Sequence, residues 1–377
     1  VSISKLQFNA VPGKVTGAAS LDLASQELDG DLRIVVPKLA FLSPVLTRTI
    51  DGSLEMEGII TGPLSSPVIS MKANAKDLVF EQLNLKTLTA NIHTTGLPPR
   101  VQGRSELRLK YAGQALSGRS NFSLEGKRLG LSALSIKSGE NELTGKLTLD
   151  LKSLLAEGEL QAKARKLSDL SFLLGEGLVG GAGIKTTFEI VNNKQKIGLS
   201  LDGRDLKSRF GQAKKLDLKA RLVDPFKKPS GDFALKGSGL RFGEVTLATL
   251  ALAGEGTSEK IRFQGNTSGK FKDRFEVETR GVLHNTSKAQ TLELRSFVAQ
   301  YRDLPLKLLV PATIHRSKTG YRIDPLSLKI GGGQLDGSWS LENQRLSLKS
   351  DVKKLPLADL PFTRMSRFTG NATGSLY

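Results

Sequence analysis

The stretch Leu143-Thr144-Gly145-Lys146-Leu147-Thr148-Leu149-Asp150-Leu151 decides the fold, because its leucines fall at every second position once the beat sets in. A period of two belongs to the pleated strand, whose successive side chains point to opposite faces; a helix repeats its faces every 3.6 residues. The same beat returns at Leu107/Leu109, Leu199/Leu201, Leu216/Leu218, Phe233/Leu235, Leu292/Leu294, Leu326/Leu328/Ile330 and Leu346/Leu348. Between these positions stand Lys, Arg, Ser, Thr, Asp and Gln. The chain is therefore expected to build a great deal of sheet that is apolar on one face only. What covers that face decides the function.

Composition agrees. A hydrophobic content of 38% with 6% aromatics is low for a large compact core, while 39 Gly and 14 Pro supply the turns of many short strands. The 377 residues could hold two or three ordinary domains, or one repetitive body free of the usual domain size limit. Cysteine is absent, so there is neither a disulfide framework nor thiolate chemistry. No stretch approaches the 18 apolar residues a membrane-spanning helix needs. The sequence starts at Val1, without Met or a signal peptide, and both ends lie inside the repeating pattern. It reads as a segment of a longer protein, with any targeting element elsewhere.

The 55 Lys and Arg outnumber 37 Asp and Glu, a net charge of +18. Such an excess draws a protein towards anionic membranes, lipid headgroups or nucleic acid. The cations are not gathered in runs, however, but spread over the polar strand positions, which favours a solvated outer face. With no helix-turn-helix, zinc-finger or RNA-recognition signature, and no aromatics interleaved with the cations, nucleic acid is not an expected partner.

A shift of 128 residues brings landmarks into register: Gly17 on Gly145, Leu21 on Leu149, Lys38-Leu39 on Lys166-Leu167, Gly52 on Gly180, Asp77-Leu78 on Asp205-Leu206, and Leu88 on Leu216. A shift of 192 lays Leu134 to Gly139, with Leu143, Gly145 and Leu149, on Leu326 to Gly331, with Leu335, Gly337 and Leu341; Lys354-Leu355 then arrives four residues early. Repeats of this length imply stacked multi-strand units, here near 1–128, 129–256 and 257–377 of one elongated segment. Each copy also has a break in the strand rhythm that predicts a short helix: Ser43-Pro44 up to Gly52, Ser168 to Leu174 ending at Gly175, and Asp359 to Phe368 before Gly370. Gly96 to Pro99 and Asp224 to Pro229 are expected as loops between consecutive strands, and Pro63 and Pro67 as edge or loop positions.

Enzyme motifs are missing. His93, His284 and His315 show no metal-ligand spacing, and there is no HExxH, GxSxG or Walker A sequence. Gly175-Glu176-Gly177-Leu178-Val179-Gly180 matches a dinucleotide fingerprint literally. A short helix precedes it and alternating strand sequence follows, so it reads as a repeat junction instead. Asn121, Asn266, Asn285 and Asn371 open glycosylation sequons that also suit Asn- and Thr-rich turns. No catalytic residue, metal or cofactor is expected.

About 25 to 30 strands at roughly 4.8 Å spacing would extend about 120–140 Å. Their apolar face has three ways out of water: two sheets can close on each other, one sheet can bury the face by its own curvature, or a trough can form that something else fills. Sparse aromatics favour a uniform Leu/Ile/Val lining over a jigsaw core. A sixteen-carbon acyl chain exposed to water costs about 12 kcal/mol, at roughly 0.8 kcal/mol per methylene, and a continuous apolar trough removes most of that. The lining expected is Leu107, Leu109, Leu147, Leu149, Leu151, Leu199, Leu201, Leu216, Leu218, Leu326, Leu328, Ile330, Leu346 and Leu348. Two other functions fit the same alternation: a protein chaperone or scaffold that pairs exposed strand edges with unfolded β-strands, and an extracellular β-rich adhesin or stalk with a closed core.

Several segments resemble the repeats of the TamB and AsmA-like family. They are Leu326 through Leu341 (Leu-Ser-Leu-Lys-Ile-Gly-Gly-Gly-Gln-Leu-Asp-Gly-Ser-Trp-Ser-Leu) followed by Leu355-Pro356-Leu357-Ala358-Asp359-Leu360, then Ile50 through Pro67, and Gly237 through Leu252 with Gly254. The resemblance covers essentially the whole chain on degenerate motifs. It implies an all-β fold: a long curled antiparallel or mixed sheet, a β-taco or repeating β-groove, with a hydrophobic interior and short helices at repeat junctions. It also implies a periplasmic location in a Gram-negative envelope, anchored in the inner membrane through a segment outside this one. The implied partners are phospholipid acyl chains, both membranes, and a TamA-like outer-membrane barrel protein reached through other parts. The implied work is phospholipid transfer and outer-membrane protein assembly, autotransporters included, with no catalytic residues.

Overall fold

The computed structural model describes residues 2–10, 13–46, 49–80, 83–111, 113–175, 177–285, 290–316, 320–342, 345–356 and 371–376. Two compact units divide at Asn193/Lys194. The first holds β1 (Ser2–Ala10), β2 (Gly13–Leu21), β3 (Glu27–Val36), β4 (Ile50–Pro63), β5 (Val68–Phe80), β6 (Leu83–Thr95), β7 (Arg100–Tyr111), β8 (Gln114–Glu125), β9 (Arg128–Ser138), β10 (Asn141–Asp150), β11 (Ala156–Ala164) and β12 (Val179–Val191). The second holds β13 (Lys194–Ser208), β14 (Gly211–Val223), β15 (Ser230–Phe242), β16 (Val245–Thr257), β17 (Lys260–Phe271), β18 (Asp273–Asn285), β19 (Gln290–Tyr301), β20 (Leu304–Leu308), β21 (Ala312–Arg316), β22 (Gly320–Ile330), β23 (Gly333–Glu342), β24 (Arg345–Pro356) and β25 (Asn371–Leu376).

Within each unit every strand pairs antiparallel with its sequence neighbours, so the all-β expectation holds and its antiparallel form is the one adopted. The one variation is a strand in two pieces. β20 and β21 together fill the place between β19 and β22, and Leu309-Val310-Pro311 breaks them apart. Proline lacks the amide a ladder needs, so the interruption falls where the sequence carries one. The Gly96–Pro99 and Asp224–Pro229 segments are inter-strand connections, as expected.

The matched landmarks share local structure. Lys38 and Lys166 are both extended and both lead into a 3-10 turn, Leu39–Leu42 and Leu167–Leu170, that continues into one α-helical turn, Ser43–Leu46 and Ser171–Leu174. Each 3-10 turn buries its first leucine, Leu39 at 4% and Leu167 at 5% exposure. The helical segments thus begin earlier than their Ser-based starts implied. Ser43 does not cap; its hydroxyl accepts from Ile50 N–H and donates to Ile50 C=O, fastening the turn to β4. Gly175 ends the second segment at φ +84, where its amide reaches Ser171 C=O, and β12 follows, so no long helix stands behind the glycine-rich match. Gly52 and Gly180 both take φ above +100, a conformation that disfavours any side chain. Asp77 and Asp205 both sit at φ +48 inside strands; Asp77 lies at a bulge, where the β4–β5 register shifts, and Asp205 is left out of the β13–β14 ladder without a shift. The third expected helix, Asp359 to Phe368, lies outside the described residues.

Candidate functional site: an apolar sheet face

Antiparallel pairing sets partners side by side on one face, so the ladders show which leucines meet. In the first unit one row runs Val15, Ile34, Met56, Ala73, Ala90, Leu107, Gly118, Ile136, Leu143, Ala162, Ile184 from β2 to β12. Leu109 lies in the parallel row beside Leu88 and Leu116, Leu147 faces Leu131 and Gly158, and Leu149 faces Leu129 and Ala156. In the second unit Leu201, Leu218, Leu235, Leu252, Gly265, Thr279 and Phe297 form one row from β13 to β19. Leu199 opens the next row, through Ala220, Phe233, Gly254, Phe263, Gly281 and Leu294, while Leu216 stands between Gly203 and Gly237.

Glycine recurs in these rows for a reason the leucine beat did not reveal. A β-carbon on Gly254 would come within 2.7 Å of the Phe233 ring, and one on Gly281 within 2.8 Å of the Phe263 ring. Each aromatic therefore lies over the bare backbone of the next strand, which keeps the face level. The signal was present as Phe and Gly at matching offsets, but only the register joins them.

The expected lining residues do not behave alike. Leu109, Leu147, Leu149, Leu199, Leu201, Leu216, Leu218, Leu326 and Leu328 are half-buried, and Leu107 is 37% exposed. Two expectations are corrected. β10 ends at Asp150, whose carboxylate accepts the amides of Lys152 (3.0 Å) and Ser153 (2.7 Å) and the Ser153 hydroxyl (2.9 Å). That turn takes Leu151 out of the strand and leaves it 46% exposed. Ile330 is enclosed, at 6% exposure, in a cluster with Leu304 and Leu355 against which Leu306, Leu328, Leu335 and Val352 pack, so protein atoms already fill its surroundings. Leu346 and Leu348 pair through β24 with Leu341 and Trp339, and their side chains lie outside the described residues.

Sealing is the exception. Only fourteen hydrophobic residues among those described are buried. The accessible surface is 24815 Å². Two separate compact bodies, each of half this mass, would expose about 17,500 Å² together.

The opposite face is charged and pairs part of its ions. Arg33 meets Glu55 and Glu57, Lys185 reaches Glu159 at 3.0 Å, Arg221 reaches Asp232 at 2.9 Å, and Arg295 reaches Glu293 at 3.0 Å. Hydrogen bonds from Gln161 and Lys185 hold the Glu159 carboxyl below its usual range, Arg204 does so for Asp202, and Arg295 for Glu293. Among the described residues no group of His, Asp and Glu is placed to hold a metal, and no helix is long and apolar enough to cross a membrane. His93 is engaged with the Ser70 hydroxyl at 2.8 Å, a strand-to-strand contact.

Compared with known proteins, the chain matches no family model and no curated protein.

Proposed function

We propose that this chain is a periplasmic segment of a TamB-like protein of the AsmA-like family, and that its apolar sheet face shields phospholipid acyl chains between the inner and outer membranes. One observation carries the reading: rows of half-buried leucine interspersed with small residues, kept level by phenylalanines laid over glycine, on a sheet in which few of the described hydrophobic residues are buried. A face of this kind gives an acyl chain apolar contact along its length, against a cost of about 12 kcal/mol for sixteen carbons in water, without holding it at one position. The charged face keeps the sheet soluble while this happens. Support of outer-membrane protein assembly beside a TamA-like barrel protein belongs to the same proposal, through parts of the protein beyond this segment.

Photo-crosslinking tests it. A crosslinker at Leu201 or Leu149 is expected to capture phospholipid, and one at the adjacent Ser200 or Thr148, on the charged face, is not. Equal labelling on both faces, or capture of unfolded β-strand protein with no lipid, overturns the proposal and turns the reading towards a chaperone.

A further inference from the structure

A cleft of 760 Å³ in the second unit gathers cations that no described carboxylate pairs. Five cations line it, Lys207, Lys214, Arg241, Lys270 and Arg274, against two carboxylates, Asp205 and Glu276. None of the seven takes part in an ion pair among the described residues, although Arg204–Asp202 and Lys215–Asp217 pair directly alongside. The chain that scatters these cations in sequence gathers them by register. Lys207 faces Gln212, which faces Arg241; that residue faces Thr246, then Lys270, then Arg274. The row crosses six strands, about 24 Å at roughly 4.8 Å per step.

The backbone is shaped for it. Asp205, Lys214, Gly239 and Ala248 fall in one line, where the ladder lapses on four consecutive strands and the β16–β17 register shifts. Asp205 stands at φ +48 and Gly239 at φ +61. A β-carbon on Gly239 would lie 2.8 to 3.0 Å from the Lys214 methylenes, so the missing side chain lets that lysine lie across β15. The bulge at Ala248 twists its strand locally and re-aims side chains, as bulges do beside binding sites.

We infer that this cleft binds ligands carrying several phosphate groups. Unpaired cations spread over about 24 Å match an array of phosphates better than a single one, and lysine and arginine are the side chains that recognise them. Both an anionic membrane surface and a free polyphosphate present that chemistry. The inference concerns the charged face alone and stands whether or not the other face takes acyl chains.

The test uses the full chain, inorganic tripolyphosphate, and vesicles of equimolar phosphatidylglycerol and phosphatidylcholine. The triple variant Arg241→Gln/Lys270→Gln/Arg274→Gln is expected to weaken tripolyphosphate binding roughly tenfold or more, about 1.4 kcal/mol. A triple variant with the same loss of charge in the first unit, Lys72→Gln/Arg108→Gln/Lys110→Gln, is expected to change it less than about twofold; these are exposed positions, where substitution is tolerated. Vesicle binding lost in the cleft variant and displaced by tripolyphosphate identifies a membrane surface as the source. Vesicle binding that is absent, or unaffected by the cleft variant, while tripolyphosphate binding depends on the cleft, identifies a free polyphosphate. Equal weakening in both variants means that only the bulk charge acts, and it overturns the inference, as does failure to bind either probe.

Discussion

Two regions of the second unit use the same leucine alternation and end differently. Across β13 to β16, Leu201, Leu218, Leu235 and Leu252 stand in one row and remain half-buried. Around β20 to β24, Leu304, Ile330 and Leu355 close on one another below 9% exposure. The difference lies in the backbone. Where the open row crosses them, β13 to β16 run in continuous register and keep their side chains in parallel rows; their own irregularity, at Asp205 and Gly239, lies further along, and there Leu240 is buried. The second region interrupts itself twice, at Leu309-Val310-Pro311 and at Lys354, which takes φ +50 just before Leu355. Where the backbone breaks, a strand can fold its apolar residues inward; where it runs regularly, it cannot. Alternation thus makes an apolar face, and irregularity decides whether that face is sealed.

Truncation should expose the contrast most strongly. Ile330→Ala leaves a cavity in the closed cluster and is expected to cost about 2–5 kcal/mol, whereas Leu218→Ala, removing a half-solvated side chain from an open row, is expected to cost about 1 kcal/mol. Urea unfolding of the two variants measures both. Equal costs would mean that the open row is packed as tightly as the cluster, and the functional reading of the open row would go with it.

A β-carbon added to the level floor is the next test. Gly281→Ala places a methyl group 2.4 Å from the Glu293 carbonyl and 2.8 Å from the Phe263 ring, so one or the other must move. The expected loss is about 1–3 kcal/mol, the range for overpacking. The double variant Gly281→Ala/Phe263→Leu should recover part of it by clearing the ring. No recovery would show that the backbone contact alone sets the glycine requirement and that the aromatic does not rest on it.

Much of this was legible beforehand and some was not, for definite reasons. Strand identity followed from the period of two because it is local. The landmarks Asp77-Leu78 and Asp205-Leu206 marked a shared backbone irregularity, although sequence spacing alone gave no hint that the aspartates adopt positive φ. Leu151 continued the beat and was still misplaced. The competing signal was Asp150 with Ser153, a carboxylate and a hydroxyl spaced to cap a turn. Ile330 was expected on an open lining because its enclosure depends on Leu304 and Leu355, remote in sequence and brought in by the two backbone breaks. The cations of the cleft read as scattered for the same reason: a meander turns spacing along the chain into rows across it. The repeat sharpens this point. At the positions 128 residues earlier, Asp77 and Lys86 match Asp205 and Lys214, but Val79 and Asn84 stand where the second unit has Lys207 and Gln212. The positive-φ aspartate is shared by both copies, and the cationic row beyond it belongs to one.

The smallest effect expected is on acid stability, and it separates the closed region from the open one once more. Asp336, in β23 beside the closed cluster, accepts from the Ser327 hydroxyl at 2.5 Å and from the Gln334 amide at 2.7 Å, and these hydrogen bonds hold its carboxyl below the usual value. On the open region's charged face Asp202 is lowered chiefly by Arg204, at 3.0 Å in an exposed pair. A carboxyl whose pKa falls on folding stabilises the folded state above its unfolded pKa, near 3.9 for Asp, and that contribution disappears as pH falls through the lower, folded value. Stability should therefore be flat with respect to these groups between about pH 5 and 8, and decline below about pH 4. Salt should distinguish the two sites. The Asp202 contribution comes from an exposed ion pair and is screened, while the Asp336 contribution comes from neutral donors and persists. Acid titration of Asp202→Asn and Asp336→Asn at low and high ionic strength reads this directly. A salt-sensitive acid limb that vanishes with Asp336→Asn and survives Asp202→Asn would reverse the assignment, placing the electrostatic support of the sheet in its closed region instead of along its open rows.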